Sequence, residues 1–357
     1  MKTKILSSQG FIFITIFAGF YCSFLHAETI YVSSDQGNDT NPGTKDKPLQ
    51  SIQKAAELVD NSSNPGPTTI VISTGIYCFD KCVMFNNPRQ YTQEKRLTLR
   101  ASILPDDLNW TPAIMPIILS YEDPRKPENP NAHTETYSIK VQINHVTVQG
   151  LKFLGNPLPN NWHCCIERIG KKLDDLIITQ CLFMGDNDGM NIYCAALATG
   201  DRFIVEHCIF KNCHACTVYW DGSEGIGGKD CAMRYCIVDG AYMSGAWTCQ
   251  TKENFEFHNN VITNCEYFWI RKKRDCQKYK INNCVIIGNK HFSGYGTPAG
   301  PTGETGEEVS FEENEITRNS VVLFNSDKKS RNYMHIVEGS AGSELGAGLF
   351  IQRKDKF

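Results

Sequence analysis

Charged residues gather in three short stretches of the sequence whose residue types can do chemistry. Asp186 and Asp188 stand in GDNDG, Asp221 and Glu224 stand in YWDGSEG, and four basic residues run from 271 to 274. Two carboxylates from different stretches can act as the acid and the base or nucleophile of a glycoside hydrolase. The oxygens of Asp186 and Asp188 also suit calcium, which prefers clustered oxygen ligands.

The basic stretch suits a second reaction, the β-elimination of a uronic acid residue. That reaction requires a neutralised carboxylate, removal of the proton at C5 and expulsion of the C4 oxygen. We expect Arg271 to clamp the carboxylate and Lys273 to act as the base, because neighbouring cations lower the pKa of a lysine. Simpler interpretations stay open. The aspartates can be turn formers, and the basic stretch can be a solvated rim.

Composition and charge exclude several classes of protein. The 357 residues include 36 Lys and Arg against 39 Asp and Glu, and 41% of the chain is apolar. This balance offers no basic surface for nucleic acid. The apolar content is too high for a disordered chain. A folded protein with a sizeable core is therefore expected.

The first 27 residues predict a signal peptide. Lys2 and Lys4 precede an apolar run from Phe11 to Leu25, and cleavage is expected after Ala27. An uncleaved membrane anchor is the alternative. The apolar run is short for that role, because a span needs about 20 residues.

An internal repeat extends from residue 146 to residue 289. Six segments align at steps of 24 to 30 residues, and one alignment column holds Leu151, Cys181, Cys208, Cys236, Asn260 and Cys284. Apolar columns spaced by two residues indicate strands that face one interior. Another column predicts left-handed corners, which glycine and asparagine adopt most readily; it holds Gly155, Gly185, Asn212, Gly240, Asn264 and Gly288. Repeated strands and corners predict an all-β fold, a parallel β-helix.

Cysteine is unusually frequent: the chain has 16, and 15 of them follow residue 27. Side chains stacked on parallel strands point the same way, which does not suit the crossed geometry of a disulfide. We therefore expect mostly free, buried thiols. Cys78 with Cys82, and Cys164 with Cys165, lie outside the stack and are the candidates for a bridge.

The segment after the signal peptide predicts a strand, a polar loop and an amphipathic helix. It reads YVSSDQGNDTNPGTKDKPLQSIQKAAELV and is followed by TTIVISTGIY. Asp46 is the expected helix cap, with Pro48 in the first turn. The expected apolar face consists of Leu49, Ile52, Ala56 and Val59. A helix laid across the open end of a β-helix would cover its core and strand edges.

This segment resembles the opening of the pectate-lyase-like superfamily of right-handed parallel β-helix proteins. The match is carried by Tyr31, Val32, Ser33, Asn41, Pro42, Gly43, Thr44, Pro48, Ile52, Gln53, Ala55, Gly75 and Tyr77. The resemblance implies a right-handed parallel β-helix with an N-terminal capping helix. Members include polysaccharide lyases, glycoside hydrolases and adhesins, so the resemblance is specific for the fold and not for a reaction.

The resemblance also implies a groove along the strand that follows each Gly/Asn corner. Strict alternation places Val218 and Ile270 inside these strands, and Arg271 outside. The outward substrate-binding candidates are Asn191, Tyr193, Tyr219, Trp247, Trp269 and Tyr295. Aromatic rings in a row form a stacking platform for sugars. A protein interface and a surface without function are the alternatives.

A second outward row consists of Glu206, Arg234 and His258 on successive coils. Opposite charges on neighbouring strands predict a cross-strand ion ladder.

These predictions combine into one hypothesis, an exported polysaccharide lyase that cleaves an acidic glycan. A glycoside hydrolase and a non-catalytic glycan-binding module are the alternatives. We expect a single domain over residues 28–357, with an N-terminal cap and first strands in 28–77, regular coils in 146–289, and a last coil, loops and a C-terminal cap in 290–357. We expect a secreted or periplasmic monomer without a membrane span in its mature chain. Its expected partner is a polysaccharide, with calcium as the candidate cofactor and no nucleic acid.

Overall fold

A computed structural model describes residues 27–64, 66–87, 91–123, 135–158, 162–221, 227–249, 251, 253–272, 275, 277–297, 300–302 and 311–351. The predicted signal peptide lies outside these residues, apart from Ala27. Among the helices of the described ranges, none has the length and apolar character needed to cross a membrane.

The chain winds into coils of up to three strands, and equivalent strands of successive coils pair in parallel. The strands form three ranks. The first rank contains β1 (Glu28–Val32), β2 (Thr68–Ile72), β5 (Leu97–Ala101), β8 (Val146–Gln149), β11 (Asp174–Thr179), β14 (Asp201–Glu206), β17 (Ala232–Arg234), β20 (Glu256–His258) and β26 (Phe311–Thr317). The second rank contains β3 (Ile76–Phe79), β6 (Ile117–Ser120), β9 (Lys152–Leu154), β12 (Leu182–Met184), β15 (Ile209–Lys211), β18 (Ile237–Asp239) and β21 (Val261–Thr263).

The first two ranks share one 17-stranded sheet, because the long strand β23 (Tyr279–Ile287) continues both of them. The third rank is a separate nine-stranded sheet. It contains β4 (Val83–Phe85), β7 (Glu135–Val141), β10 (Trp162–Arg168), β13 (Cys194–Ala198), β16 (Ala215–Tyr219), β19 (Ser244–Thr248), β22 (Tyr267–Lys272), β24 (His291–Thr297) and β25 (Gly300–Thr302). Only the last pair in this sheet, β24 with β25, is antiparallel. The predicted parallel β-helix is confirmed.

Like side chains stack inside the coils because successive strands pair in register. Phe153, Phe183 and Phe210 lie on neighbouring second-rank strands, with ring centroids 5.0 and 4.9 Å apart. All three rings are buried. Such a ladder combines burial of large apolar surface with offset ring contacts. The interior is therefore built from columns that run along the solenoid.

The cysteine column follows the same rule. The Sγ atoms of Cys181, Cys208 and Cys236 each lie 3.6–3.7 Å from a carbonyl oxygen of the preceding coil. Asn260 occupies the next place, where its side chain donates to Met233 O and accepts from the backbone N–H of Cys236. The column thus tolerates an amide because both of its polar ends are paired.

The described part of the chain contains fourteen free cysteines, including both pairs considered for a bridge. Cys78 is exposed and Cys82 is partly buried, whereas the other twelve are buried. Burial raises the pKa of several of these thiols, to about 12 for Cys231 and Cys284. A thiol of this kind is protonated at neutral pH and unreactive.

We expect brief alkylation of the folded protein to modify Cys78 first, with the stacked cysteines protected until the protein unfolds. Mass spectrometry of peptides after iodoacetamide treatment, with and without denaturant, measures this directly. A Cys78→Ser variant serves as the control for the fast site. Rapid native labelling of Cys208 or Cys236 would contradict the buried column.

The left-handed corners are only partly as predicted. Asn212, Gly240 and Asn264 have φ of 51°, 77° and 58°, and Gly288 has 70°. Gly155 and Gly185 are not left-handed, so the prediction is wrong there. These two positions require glycine for another reason. A Cβ would lie 1.9 Å from a backbone oxygen of a neighbouring segment at Gly155, and 2.5 Å from one at Gly185. The sequence did not predict a second corner in each coil, at the residue directly before the member of the cysteine column. The residues at this position have left-handed φ although several are bulky; they include Gln180, His207, Tyr235, Asn259 and Asn283.

One α-helix, α1 (Ile52–Asn61), packs against the first coil. Ile52, Ala55 and Val59 contribute to the core. The predicted cap is wrong: Ser51 caps the helix by accepting from Lys54 N, and Asp39 in turn accepts from the Ser51 hydroxyl. The cap falls five residues after Asp46 because Leu49 is buried before the helix begins. Two short 3-10 helices, Pro112–Ile114 and Ser343–Leu345, complete the described helical elements.

The last described segment runs back along the outside of the coils. Residues 321–351, which we call the C-terminal strap, bury apolar side chains against the outer side of the second rank. The strap side chains are Met334, Ile336, Leu345, Ala347 and Leu349, and they meet Leu182, Ile209, Ile237, Val261 and Val285. Backbone bonds add to this contact, including Gly348 N to Tyr235 O at 2.9 Å. The strap thus covers a flank that would otherwise be apolar and exposed.

Candidate functional site

The outer side of the nine-stranded sheet, which we call the outer face, is where the predicted site residues were expected. Each long strand of this sheet has two consecutive side chains that point inward, for example Cys216 and Thr217 in β16 or Phe268 and Trp269 in β22. Strict alternation therefore fails once in every strand. In each strand, the residues after these two consecutive inward side chains face the side of the sheet opposite to the one that strict alternation predicts.

Three predicted site residues are inside the solenoid for this reason. Tyr219 is 2% exposed and donates its hydroxyl to Ala232 O at 2.6 Å. Trp269 is fully buried and donates its ring N–H to Thr248 Oγ1 at 2.9 Å. Arg271 is 1% exposed. The prediction that these side chains face outward is wrong, and Val218 and Ile270, expected inside, lie on the outer face.

Arg271 belongs to a buried polar network. Its Nη2 donates to the backbone oxygens of Asp275 and Gln277 at 2.5 and 2.6 Å, and lies 3.3 Å from Asp275 Oδ1. Asp275 also accepts from the hydroxyls of Thr248 and Tyr279. Because both members of the ion pair are almost fully buried, Arg271 holds the interior together and does not present a clamp to a substrate.

The middle of the outer face is a second apolar core. Trp247 faces outward as predicted, but it is 6% exposed and packs with Leu197, Val218 and Ile270. Tyr295 is in register with the inward Arg271 and is partly buried. Among the described residues, the aromatic side chains in the middle of the outer face therefore do not form an open row.

Aromatic side chains remain partly exposed along one edge of this core. Tyr193 stacks between Trp162 at 4.0 Å and His214 at 4.5 Å, measured between ring centroids. Stacked rings cover each other's faces, so a sugar can reach a free face only at the two ends of the stack. Burial lowers the pKa of His214, which favours its neutral form in the stack. Asn191 lies nearby, bridged to Asn156.

The predicted calcium ligands form a turn. Asp186 and Asp188 are exposed, and Asp186 Oδ1 accepts from the backbone N–H of Asp188 at 2.9 Å. This is the local bond expected of a turn-forming aspartate. No group of three or more His, Cys, Asp or Glu placed to hold a metal ion occurs among the described residues.

Lys272 is the basic residue that the structure places at the edge of the outer face. Its Nζ lies 4.1 Å from the centroid of the Trp220 ring and 2.6 Å from Asp221 Oδ1. Asp221 is 2% exposed, whereas Trp220 and Lys272 are partly buried. The two remaining catalytic candidates, Lys273 and Glu224, lie outside the described residues.

A charged cluster that sequence reasoning missed lies at the other end of the outer face. Glu167 and Lys140 face each other on β10 and β7, with Lys140 Nζ 2.9 Å from Glu167 Oε1. Lys140 Nζ also lies 3.8 Å above the Tyr137 ring, and the Tyr137 hydroxyl donates to Glu135. We call Glu122, Glu135, Tyr137, Lys140 and Glu167 the carboxyl cluster. Burial raises the pKa of Glu167 and of Glu122 above the ordinary glutamate value.

The predicted ion ladder on the first rank is confirmed. Arg234 lies 2.8 Å from Glu206 on the preceding coil and 2.6 Å from Glu256 on the following one. His258 sits beside Glu256 at 3.8 Å. These groups pair among themselves, as expected of a structural ladder.

Comparisons with known proteins agree with the architecture. Residues 139–316 match the family model described as "Right handed beta helix region". Among curated proteins, none matches the chain.

Similar solved structures include the native GH136 lacto-N-biosidase from Eubacterium ramulus, with 13% identity and a TM-score of 0.42 over 82% of this chain and 51% of that one. They also include a rhamnogalacturonan lyase, with 11% identity and a TM-score of 0.43 over 90% and 99% of the two chains. A third is pectin methylesterase PemA from Erwinia chrysanthemi, with 12% identity and a TM-score of 0.36 over 89% and 96%. The chain spans about half the length of the lacto-N-biosidase. The parallel ranks of strands and the family match over residues 139–316 together identify the fold as a right-handed parallel β-helix.

Proposed function

We propose that the protein is an exported carbohydrate-active enzyme that binds an acidic glycan at the edge of the outer face and cleaves it by β-elimination. The observation that supports this most is the Trp220–Lys272 pair, an indole and an ammonium 4.1 Å apart. Such a pair offers apolar surface to a sugar ring and a cation to its carboxylate. Asp221 takes one of the three ammonium N–H donors, so donors remain for a substrate.

The proposed elimination assigns the charge-neutralising role to Lys272 in place of the buried Arg271. A cation at the substrate carboxylate stabilises the charge that develops when the C5 proton leaves. Lys273 as the base, and Asp186 with Asp188 as calcium ligands, remain predictions. Export likewise remains a prediction, which N-terminal sequencing of secreted protein tests by looking for Glu28 as the first residue.

A panel of acidic and neutral polysaccharides tests the proposed activity, with and without calcium. We expect an unsaturated product that absorbs ultraviolet light from an acidic glycan. New reducing ends without that absorbance would show hydrolysis instead. Binding without cleavage would favour a glycan-binding module, and absence of binding to every glycan would refute the proposed function.

A Lys272→Met variant tests the proposed cation. We expect kcat/KM on the acidic glycan to fall by about 10²-fold, as when one preorganised charge-stabilising group is removed. Lys54→Met is the matched control, because Lys54 also forms an ion pair, with Glu57, but lies on α1, which packs against the first coil. Full activity of Lys272→Met would rule out Lys272 as the clamp.

Glycoside hydrolysis is the second candidate because of one observation, the buried Glu167 carboxyl beside Lys140 in the carboxyl cluster. Burial raises the pKa of this carboxyl. A hydrolase needs one carboxyl that stays protonated near neutral pH and a second carboxyl as base or nucleophile. Glu135 and Glu122 lie in the same cluster. The product analysis above separates the two reactions.

A further inference from the structure

Two arms of the C-terminal strap meet at a buried histidine. His335 lies on the first arm, residues 321–337, and is 2% exposed. Its ring stacks on Phe350 of the second arm, residues 345–351, with the ring centroids 4.3 Å apart. Gly348 permits this close approach, because a Cβ there would lie 2.4 Å from His335 Cδ2. His335 therefore joins the two arms.

The hydrogen bonds of the His335 ring fix its protonation state. Nε2 accepts the backbone N–H of Leu349 at 2.9 Å, and Nδ1 lies 3.2 Å from the backbone oxygen of Tyr333. A carbonyl oxygen can only accept, so Nδ1 carries the ring proton and Nε2 keeps a lone pair for Leu349. A second proton, on Nε2, would remove that lone pair and set two donors against each other. The docked geometry therefore requires the neutral ring.

The second arm is bound to the coils by residues of the left-handed corners. Gly348 donates its N–H to Tyr235 O at 2.9 Å, and His207 Nδ1 donates to Gly348 O at 3.1 Å. Gln180 donates to Leu349 O at 2.8 Å. Leu349 thus bonds to the coils through its carbonyl and to His335 through its N–H. Loss of the His335 bond therefore acts on the same residue that ties the second arm to the coils.

We propose that His335 is an acid-sensitive latch, and that protonation of its ring releases residues 345–351 from the coils. An exposed histidine has a pKa of about 6.5, so a released ring takes up a proton in mildly acidic solution. The docked ring excludes this proton, so a fall in pH favours the released arm. Release uncovers part of the apolar flank of the second rank, including Ile237 beside Gly348. The latch is independent of the proposed activity.

The charged and titratable groups around the latch act in the same direction or are already bonded. Those that face it are Tyr333 and Arg331 on the strap, Asp106 on the loop after β5, and Glu206, His207, Arg234 and Tyr235 on the coils. The Arg331 guanidinium lies 5.1 Å from the Phe350 ring, so it adds a positive charge to the stack. Both Asp106 oxygens accept hydrogen bonds, from Gln180 and from Ile351 N–H. Burial lowers the pKa of His207, so its docked form also loses stability as the pH falls.

Hydrogen exchange followed by mass spectrometry tests the latch in the wild-type protein. The protection factor removes the intrinsic effect of pH on exchange, so for residues 345–351 it reports the docking equilibrium. Between about pH 7.5 and about pH 5 it should fall at least about 30-fold, because each pH unit below about 6.5 favours the protonated ring about tenfold. Strand β2 should keep its protection. An unchanged second arm, or an equal fall in β2 from general acid unfolding, would overturn the proposal.

A His335→Gln variant assigns the effect to one ring. Glutamine Oε1 can accept from Leu349 N–H but does not titrate in this range, so the fall in protection should be at least about tenfold smaller than in the wild type. His291→Gln is the matched control, because His291 also stacks on an aromatic ring, Tyr267 at 4.7 Å, but lies on β24. The control should behave as the wild type. Thermal unfolding at neutral pH checks that both variants are folded. A fall as large in His335→Gln as in the wild type would assign the release to His207 and overturn the proposal.

Discussion

An Arg271→Ala protein should unfold with a free energy about 3–5 kcal/mol below that of the wild type. Truncation leaves the carboxylate of Asp275 buried without its cation, and it leaves the backbone oxygens of Asp275 and Gln277 without their donor. A buried charge that has lost its partner costs more than the pair itself contributes. Denaturant unfolding followed by circular dichroism measures the loss.

Two further variants separate this explanation from a general effect of removing arginine. Arg318→Ala removes an exposed partner of Glu313 and should cost less than about 1 kcal/mol. An Arg271→Met, Asp275→Asn double variant removes both charges and should be more stable than Arg271→Ala. Equal losses in Arg271→Ala and Arg318→Ala would show that the interior network does not stabilise the fold.

A Phe183→Ala protein should lose about 3–5 kcal/mol of stability, the range for deleting a buried aromatic ring. Phe183 is the middle ring of the ladder, in contact with Phe153 and Phe210 at 5.0 and 4.9 Å. Its removal opens a cavity between two coils that rigid strand pairing prevents from closing.

Leu108→Ala is the control for this prediction, because Leu108 is 90% exposed. It should change stability by less than about 0.5 kcal/mol. Equilibrium unfolding of both variants in urea gives the comparison. A Phe183→Ala protein as stable as Leu108→Ala would contradict the packing described for the second rank.

The sequence pattern predicted the fold because each coil needs inward-facing side chains and turns at the same positions as the next coil. The corners at Asn212 and Asn264 mark where the chain turns, and the cysteine column marks which side chains fit inside. Both features follow from residue type. The corners at His207 and Tyr235 could not be predicted, because bulky residues adopt positive φ there only when the surrounding strand pairing imposes it.

The candidate site was harder to predict, because the side of the sheet to which a side chain points depends on one local irregularity in each strand. Two inward residues in succession, such as Phe268 and Trp269, reverse the orientation of every later residue in the strand. Period-two reasoning therefore exchanged Arg271 with the neighbouring Lys272. The carboxyl cluster was missed for a different reason: Tyr137 and Lys140 precede the regular repeat. A polar residue in an apolar row, as Glu167 is beside Leu197, becomes visible only once the register is known.

The C-terminal strap changes how the solenoid as a whole must assemble. A repeat protein held only by neighbouring coils can fray from either end, one coil at a time. Here Gln180 donates to Leu349 O across 169 positions, Arg331 donates to Pro105 O across 226, and Ile351 donates to Asp106 across 245. Early coils therefore receive their final contacts only when the strap has been synthesised. The strap thus couples the coils into one cooperative unit, and the stability of the early coils depends on residues far along the chain.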